Sequence, residues 1–151
     1  MSDRPSVPQS GPRPARRPRV LIADADVVAR GWLKPIVAHL DAEIVEVGTG
    51  LELQLMLSRK GPFDLVITNA RLPAPSGLQV LATVRAAGSS TPFIVVTSFQ
   101  QNVLRVFVSD AEGTVLSSRV VNADNLSVLA RNLISLTTNG SNGSDGARKL
   151  G

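Results

Sequence analysis

Four short apolar runs, spread along the chain, constrain its fold more than any other feature. They are RVLIAD (19–24), AEIVEV (42–47), FDLVIT (63–68) and PFIVVT (92–97). Each has the length of a strand and is rich in branched aliphatic residues, which suit a pleated, packed surface. Between them lie stretches with helical spacing. VVARGWLKPIVAHL (27–40) places Leu33, Ile36, Val37 and Leu40 on one stripe, with Pro35 expected to kink it or break its first turns. LELQLMLSRK (51–60) turns Leu53, Met56 and Leu57 inward and leaves Leu51 and Leu55 outside. GLQVLATVRAA (77–87) carries Leu78, Leu81 and Val84 in register and closes at Gly88. Further on, TVLSS (114–118) reads as a short fifth strand. NADNLSVLARNLISL (122–136) reads as a last helix with Leu126, Leu129 and Leu133 inward and capping residues at its start. The segment FQQNVLRVFVSDA (99–111) occupies the place of a fourth helix. It is read as a short or distorted one, although Val103, Val106 and Val108 are poor helix formers.

Strands that alternate with helices build a parallel sheet covered on both faces. Right-handed crossovers then give a three-layer, doubly wound α/β domain with five parallel strands in the order 2-1-3-4-5. In such sheets ligands bind beyond the carboxyl ends of the strands. Asp24, Asn69 and Thr97, far apart in sequence, therefore meet at one rim.

The chain has 151 residues, enough for one domain with its own core. No apolar run is long enough to span a membrane, and the N-terminus lacks the apolar stretch of a signal peptide. A cytoplasmic location is expected. With no cysteine, disulfides, thiolate metal sites and a cysteine nucleophile are excluded. The net charge of +4 is uneven: residues 1–19 carry five arginines against one aspartate, whereas residues 20–136 carry nine basic against ten acidic side chains. Residues 1–18, rich in Pro, Ser and Arg, and residues 137–151, rich in Gly, Ser and Asn, read as disordered tails around a folded unit at 19–136. The basic leader could touch nucleic acid. A near-neutral core, 3% aromatic content and no DNA-binding motif argue against that use. No Gly-rich phosphate loop follows the first strand, where ADADVVARG stands.

Three segments, VLIADAD, FDLVITNARLPAPSGLQVL and TPFIVVTS, resemble the receiver domain of bacterial two-component response regulators, a flavodoxin-like fold. The resemblance spans residues 19–136. It implies an aspartate acceptor after the third strand, two acidic residues after the first strand that hold Mg²⁺, a Thr or Ser after the fourth strand, and a Lys after the fifth. Here the acceptor position is Asn69, whose carboxamide has no anionic oxygen. The acidic pair is Asp24 and Ala25, with Asp26 one residue beyond. The hydroxyl is kept as Thr97. The Lys position is Ser118 or Arg119, depending on the alignment, and the aromatic residue usual on the fifth strand is replaced by Val115 or Leu116. The resemblance is thus to a degenerate receiver, or pseudo-receiver, not an enzyme, in which Mg²⁺ binds weakly or not at all. Such a module would signal by contact with a protein partner, or with a second copy through the face of the fourth helix, fifth strand and fifth helix. Phe99, Val103, Arg105 and Phe107 are the candidate contact residues. Phosphoryl acceptance on Asp24 or Asp26 is the alternative. Plainer roles are open too: Asp24 bonding the helix start, Ser118 or Arg119; Asp26 as a helix cap; Asn69 bonded to Asp24; Thr97 satisfying a backbone group; His39 solvated.

Overall fold

The computed structural model describes residues 16–110 and 117–150, the last thirteen of these by backbone alone. β1 (Arg19–Ala23) lies parallel to β2 (Glu43–Val47) on one side and β3 (Leu65–Asn69) on the other, and β3 is parallel to β4 (Phe93–Gln100). The crossovers are α1 (Val27–Ala38), α2 (Gly50–Arg59) and α3 (Gly77–Ala86). Side chains alternate across the sheet, as strand geometry requires. Val20, Ile22, Leu65, Ile67, Ile94 and Val96 pack toward α1 and the final helix, α4 (Ala123–Leu150). Leu21, Ala23, Val66, Phe93 and Val95 pack toward α2 and α3. This is the three-layer α/β arrangement expected, with the first four strands in the order 2-1-3-4.

The helices begin where the sequence offers caps. Asp26 accepts a hydrogen bond from Val28 N, Thr49 from Glu52 N, and Ser76 forms a reciprocal capping box with Gln79. Asn122 accepts from Asn125 N at 2.8 Å and opens α4. Helix α1 runs unbroken through Pro35, so neither a break nor an early end occurs there. In α3 the buried positions are Val80 and Leu81, and Leu78 points outward. Gly88, at φ +93°, ends that helix in a conformation that favours glycine.

The far edge of the sheet departs from expectation. The described part of the segment, residues 99–110, holds no helix. β4 runs on to Gln100, turns through Gln101 and Asn102 at φ 54° and 64°, and returns as β5 (Val103–Ser109), antiparallel to β4. Two residues of positive φ make the tight hairpin turn whose twist matches that of its strands. Val103, Val106 and Val108, unfavourable in a helix, are suited to this strand. β6 (Ser117–Val121) then pairs antiparallel with β5, so the sheet has six strands, with β5 reversed, in the order β2-β1-β3-β4-β5-β6. The expected strand at 114–118 is shifted to 117–121, and residues 111–116, with Val115 and Leu116, lie outside the described residues. With no helix between β4 and β6 among the described residues, the surface expected to combine such a helix with the last strand and the last helix does not exist in that form. The α2/α3 side of β5 and β6 is instead uncovered: Val103 is 41% and Val120 57% exposed, beside Arg105 and Phe107.

Two boundaries also differ. α4 continues as helix through most of the segment read as a Gly/Ser/Asn tail, although nothing in that composition favours helix. At the other end, residues 1–15 of the leader lie outside the described residues, but residues 16–18 are fastened to the domain. The Asp64 carboxylate has no solvent exposure and accepts two hydrogen bonds from the Arg16 guanidinium, each 2.8 Å, and one from Arg19 N at 2.7 Å. Arg17 donates to Asp41 O and Ala42 O, and Pro18 O accepts from Glu43 N. A buried carboxylate that loses its charged donor is left uncompensated. Arg16→Ala is therefore expected to destabilise the fold by about 2–4 kcal/mol. Arg17→Ala, at an exposed site, should cost under about 1 kcal/mol. Urea unfolding of the two variants checks this, and equal small losses would show that Arg16 is not an anchor.

Candidate functional site

The carboxyl ends of β1 and β3 and the middle of the longer β4 bring Asp24, Asn69 and Thr97 to one rim, as expected. With Asp26, Trp32, Phe99 and Leu104 among their neighbours, they line an open cavity of about 260 Å³. Asp24, only 7% exposed, is the centre of the polar cluster. Its Oδ1 accepts from Asp26 N at 2.9 Å and its Oδ2 from Asn69 Nδ2 at 3.1 Å. Asn69 Oδ1 accepts in turn from Arg71 N at 2.7 Å. The carboxamide thus works in both directions at once, donating to the carboxylate and accepting from the loop. A carboxylate at this position could only accept. Asp26 is turned to the helix start, its Oδ1 accepting from Val28 N at 2.9 Å.

The loop after Asn69 is held close to the sheet. Gly77 N donates to Ala70 O. A Cβ on Gly77 would stand 2.3 Å from Asn69 O and 2.8 Å from Thr68 Oγ1, so only glycine lets α3 begin against the end of β3. At Gly50 a Cβ would meet Pro75 O at 1.6 Å, which joins the start of α2 to the same loop.

Thr97 sits where β4 and β5 lose register between Val96 and Ser98. Its hydroxyl donates to Arg105 O at 3.0 Å and is committed to the hairpin. The irregularity has a second effect. An extra residue in one strand reverses the faces of those that follow. Phe99 thereby pairs with Leu104 on the α1 side of the sheet, where its ring lies 4.3 Å from that of Trp32. The four candidate contact residues are consequently divided. Val103, Arg105 and Phe107 share the uncovered face, whereas Phe99 walls the rim cavity on the opposite face.

Ser118 and Arg119 do not join the rim. They pair with Phe107 and Val106 on β6, with β5 standing between them and β4, so two strand spacings, about 10 Å, separate them from β4. Neither bonds Asp24, whose carboxylate accepts from Asp26 N and Asn69 Nδ2. Ala25 brings no donor atom, and His39 is exposed at the end of α1. Two features escaped the sequence reading. One is the Trp32–Phe99 wall, which needs the register change to form. The other is Arg30, which donates to Asp24 O and to Glu46 Oε1, where Lys34 also pairs. Hydrogen bonding from Lys34 leads the causes that lower the Glu46 pKa; burial opposes it, and the hydrogen bond from Arg30 adds to the lowering.

The resemblance implies a Mg²⁺ ion here, but the donor set does not fit one. Mg²⁺ takes octahedral oxygen coordination, usually through one or two carboxylates and several waters. Asp24 spends both oxygens on internal bonds, Asn69 Oδ1 faces Arg71 N, and Ala25 has no oxygen to offer. Among the described residues no group of three His, Cys, Asp or Glu side chains stands close enough to hold a metal. Nor, among them, is any helix long and apolar enough to cross a membrane.

Similar solved structures include a response regulator receiver protein from Pseudomonas putida, 32% identical over 54% of this chain and 69% of that one, with a TM-score of 0.48. The signal receiver domain of a putative Luxo repressor protein from Vibrio parahaemolyticus is 29% identical over 53% of this chain and 61% of that one, with a TM-score of 0.49. That of an HD domain-containing protein from Pseudomonas fluorescens Pf-5 is 28% identical over 53% and 63%, also with a TM-score of 0.49. The chain thus spans less than two thirds of the last two. A search of curated proteins finds no match. The profile of the response regulator receiver domain matches residues 20–126, from β1 into the first turn of α4. The chain belongs to the response regulator receiver domain family.

Proposed function

We propose that this receiver domain is a pseudo-receiver, an interaction module that works without phosphoryl transfer. The observation that carries the reading is the Asn69 carboxamide, held between Asp24 Oδ2 and Arg71 N at the position where the family places its acceptor. An amide nitrogen that donates to a buried carboxylate is neither a nucleophile nor a metal ligand. The other carboxylates are engaged too: Asp24 is buried with both oxygens bonded, and Asp26 caps α1. The rim is closed on itself by its own hydrogen bonds, so its conformation is independent of a phosphoryl group.

The exposed face of β5 and β6 supports contact with a protein partner. Val103, Phe107 and Val120 supply apolar area, and Arg105 supplies a cation suited to an acidic group on the partner. The absence of a covering helix on this side, among the described residues, is what leaves the surface open. No comparable feature favours phosphoryl acceptance on another carboxylate or contact with nucleic acid.

Incubation of the full chain with acetyl phosphate and Mg²⁺ should leave its intact mass unchanged. A stoichiometric phosphoryl adduct on the domain would sink the proposal. Asn69→Asp would set a second carboxylate against Asp24 and delete the amide donor. It is expected to destabilise the domain by about 1–3 kcal/mol at neutral pH without restoring an adduct, as urea midpoints and mass spectrometry would show. An unchanged midpoint would mean that the Asn69–Asp24 bond holds nothing together. For the docking face, the full chain used as bait should capture the same partner with and without acetyl phosphate. Val103→Asp and Arg105→Glu, both at exposed positions, should abolish capture while leaving the unfolding midpoint near that of the parent. Capture that survives both substitutions, or that depends on acetyl phosphate, argues against this surface.

A further inference from the structure

The rim cavity is lined by two kinds of surface. One is apolar: Trp32, Leu33, Phe99 and Leu104, with 4.3 Å between the centres of the Trp32 and Phe99 rings. The other is acidic, supplied by Asp24 and Asp26. No Lys, Arg or His lines the cavity. A closed apolar cavity of roughly 150 Å³ takes up benzene, and this one, at about 260 Å³, has room for a ring and a short polar tail.

Among the described residues two carboxylates are buried, Asp24 and Asp64, and their surroundings differ. Asp64 is paired with the Arg16 guanidinium at 2.8 Å. Asp24, 7% exposed, has no ion pair among the described residues. Its carboxylate receives only neutral donors, Asp26 N and Asn69 Nδ2. Arg30 reaches the backbone oxygen of Asp24, not its side chain, and pairs with Glu46. Buried charges are ordinarily paired. Each carboxylate oxygen has two acceptor sites, so one on each oxygen of Asp24 is left. We propose that the rim cavity binds a small organic cation, an ammonium group carried on an aromatic or aliphatic body.

The ammonium supplies the counter-charge that the fold does not give Asp24, and the exposed carboxylate of Asp26 adds to the attraction. The body lies against the aromatic wall, whose ring faces also attract cations. An anion meets two carboxylates with no basic side chain beside them and is repelled. An ammonium asks only for acceptors, not for the octahedron of oxygens that Mg²⁺ takes. Such binding rests on the reading of the rim as free of phosphoryl chemistry and is independent of the docking face. It is measured without acetyl phosphate, so a phosphoryl adduct and a failure to bind are separate results.

Trp32 is the only tryptophan of the chain, so its emission reports on the cavity directly. Titration of the full chain with 2-phenylethylammonium chloride should change that emission to saturation. The uncharged 2-phenylethanol should bind at least about tenfold more weakly, and phenylacetate should not bind. Asp24→Asn should abolish the saturable change. Asp26→Asn, which keeps the helix cap, and Phe99→Leu, at an exposed position, should each raise the dissociation constant about three- to tenfold while leaving the unfolding midpoint near that of the parent. Should Asp24→Asn fail to fold, these two variants decide. A change that never saturates, equal affinity for the alcohol, or a dissociation constant unmoved by Asp26→Asn and Phe99→Leu would each overturn the proposal.

Discussion

The turn at Gln101 and Asn102 is the constraint on which the distinctive half of this structure depends. A parallel crossover needs a dozen or more residues and ordinarily a helix to return the chain. Two residues of positive φ return it at once, and only in the antiparallel sense. Everything beyond β4 follows from that. β5 is reversed, β6 is displaced by one strand, no helix among the described residues covers their α2/α3 side, and the register change at Thr97 carries Phe99 over to Trp32. The half built from β1 to β4 is untouched, because its cores on the two sheet faces close through α1, α2, α3 and α4.

The rim shows how a polar site can be held in shape by hydrogen bonds among its own groups. A cluster of carboxylates at the end of a parallel sheet repels itself unless a cation or donors compensate it. Here donors within the fold compensate Asp24: the Asn69 carboxamide and the backbone amide of Asp26 donate to its carboxylate, and the Arg71 amide in turn holds the carboxamide. Gly77 serves this arrangement by letting the loop approach the end of β3, so that the amide groups of the loop and Asn69 meet. Preservation of the loop and alteration of the acceptor are therefore compatible, since the loop positions backbone groups whatever side chain stands at residue 69.

Much of this was legible in the sequence because the signals were local. The first four strands and the meeting of Asp24, Asn69 and Thr97 follow from apolar period and strand order, and the caps at Asp26 and Asn122 from their side-chain chemistry. The plain roles of Asp26, Asn69 and Thr97 as donors and acceptors within the fold also followed from their side-chain chemistry. What escaped was the direction of one segment. Val103, Val106 and Val108 advertised a strand, but the expected succession of elements placed a helix there, and Gln-Asn is a weaker turn signal than Asn-Gly. Once that direction was missed, the position of β6, the separation of Ser118 and Arg119 from the rim, and the division between Phe99 and Val103 could not be read. Leu78 escaped for a smaller reason: two residues one turn apart fit either of two neighbouring stripes, and packing chose Val80 with Leu81.

β6 is the last strand of the sheet, and among the described residues no other strand pairs with its outer side. An open strand edge invites further strands to add to it. The residues on this one, Ser117, Ser118, Arg119, Val120 and Val121, include a cation at the middle position. A symmetric antiparallel pairing centred on that position would set Arg119 against Arg119, and like charges directly opposed are unfavourable. The hairpin that opened the face of the sheet thus also created a new border, and the border carries its own guard against growth of the sheet by self-addition.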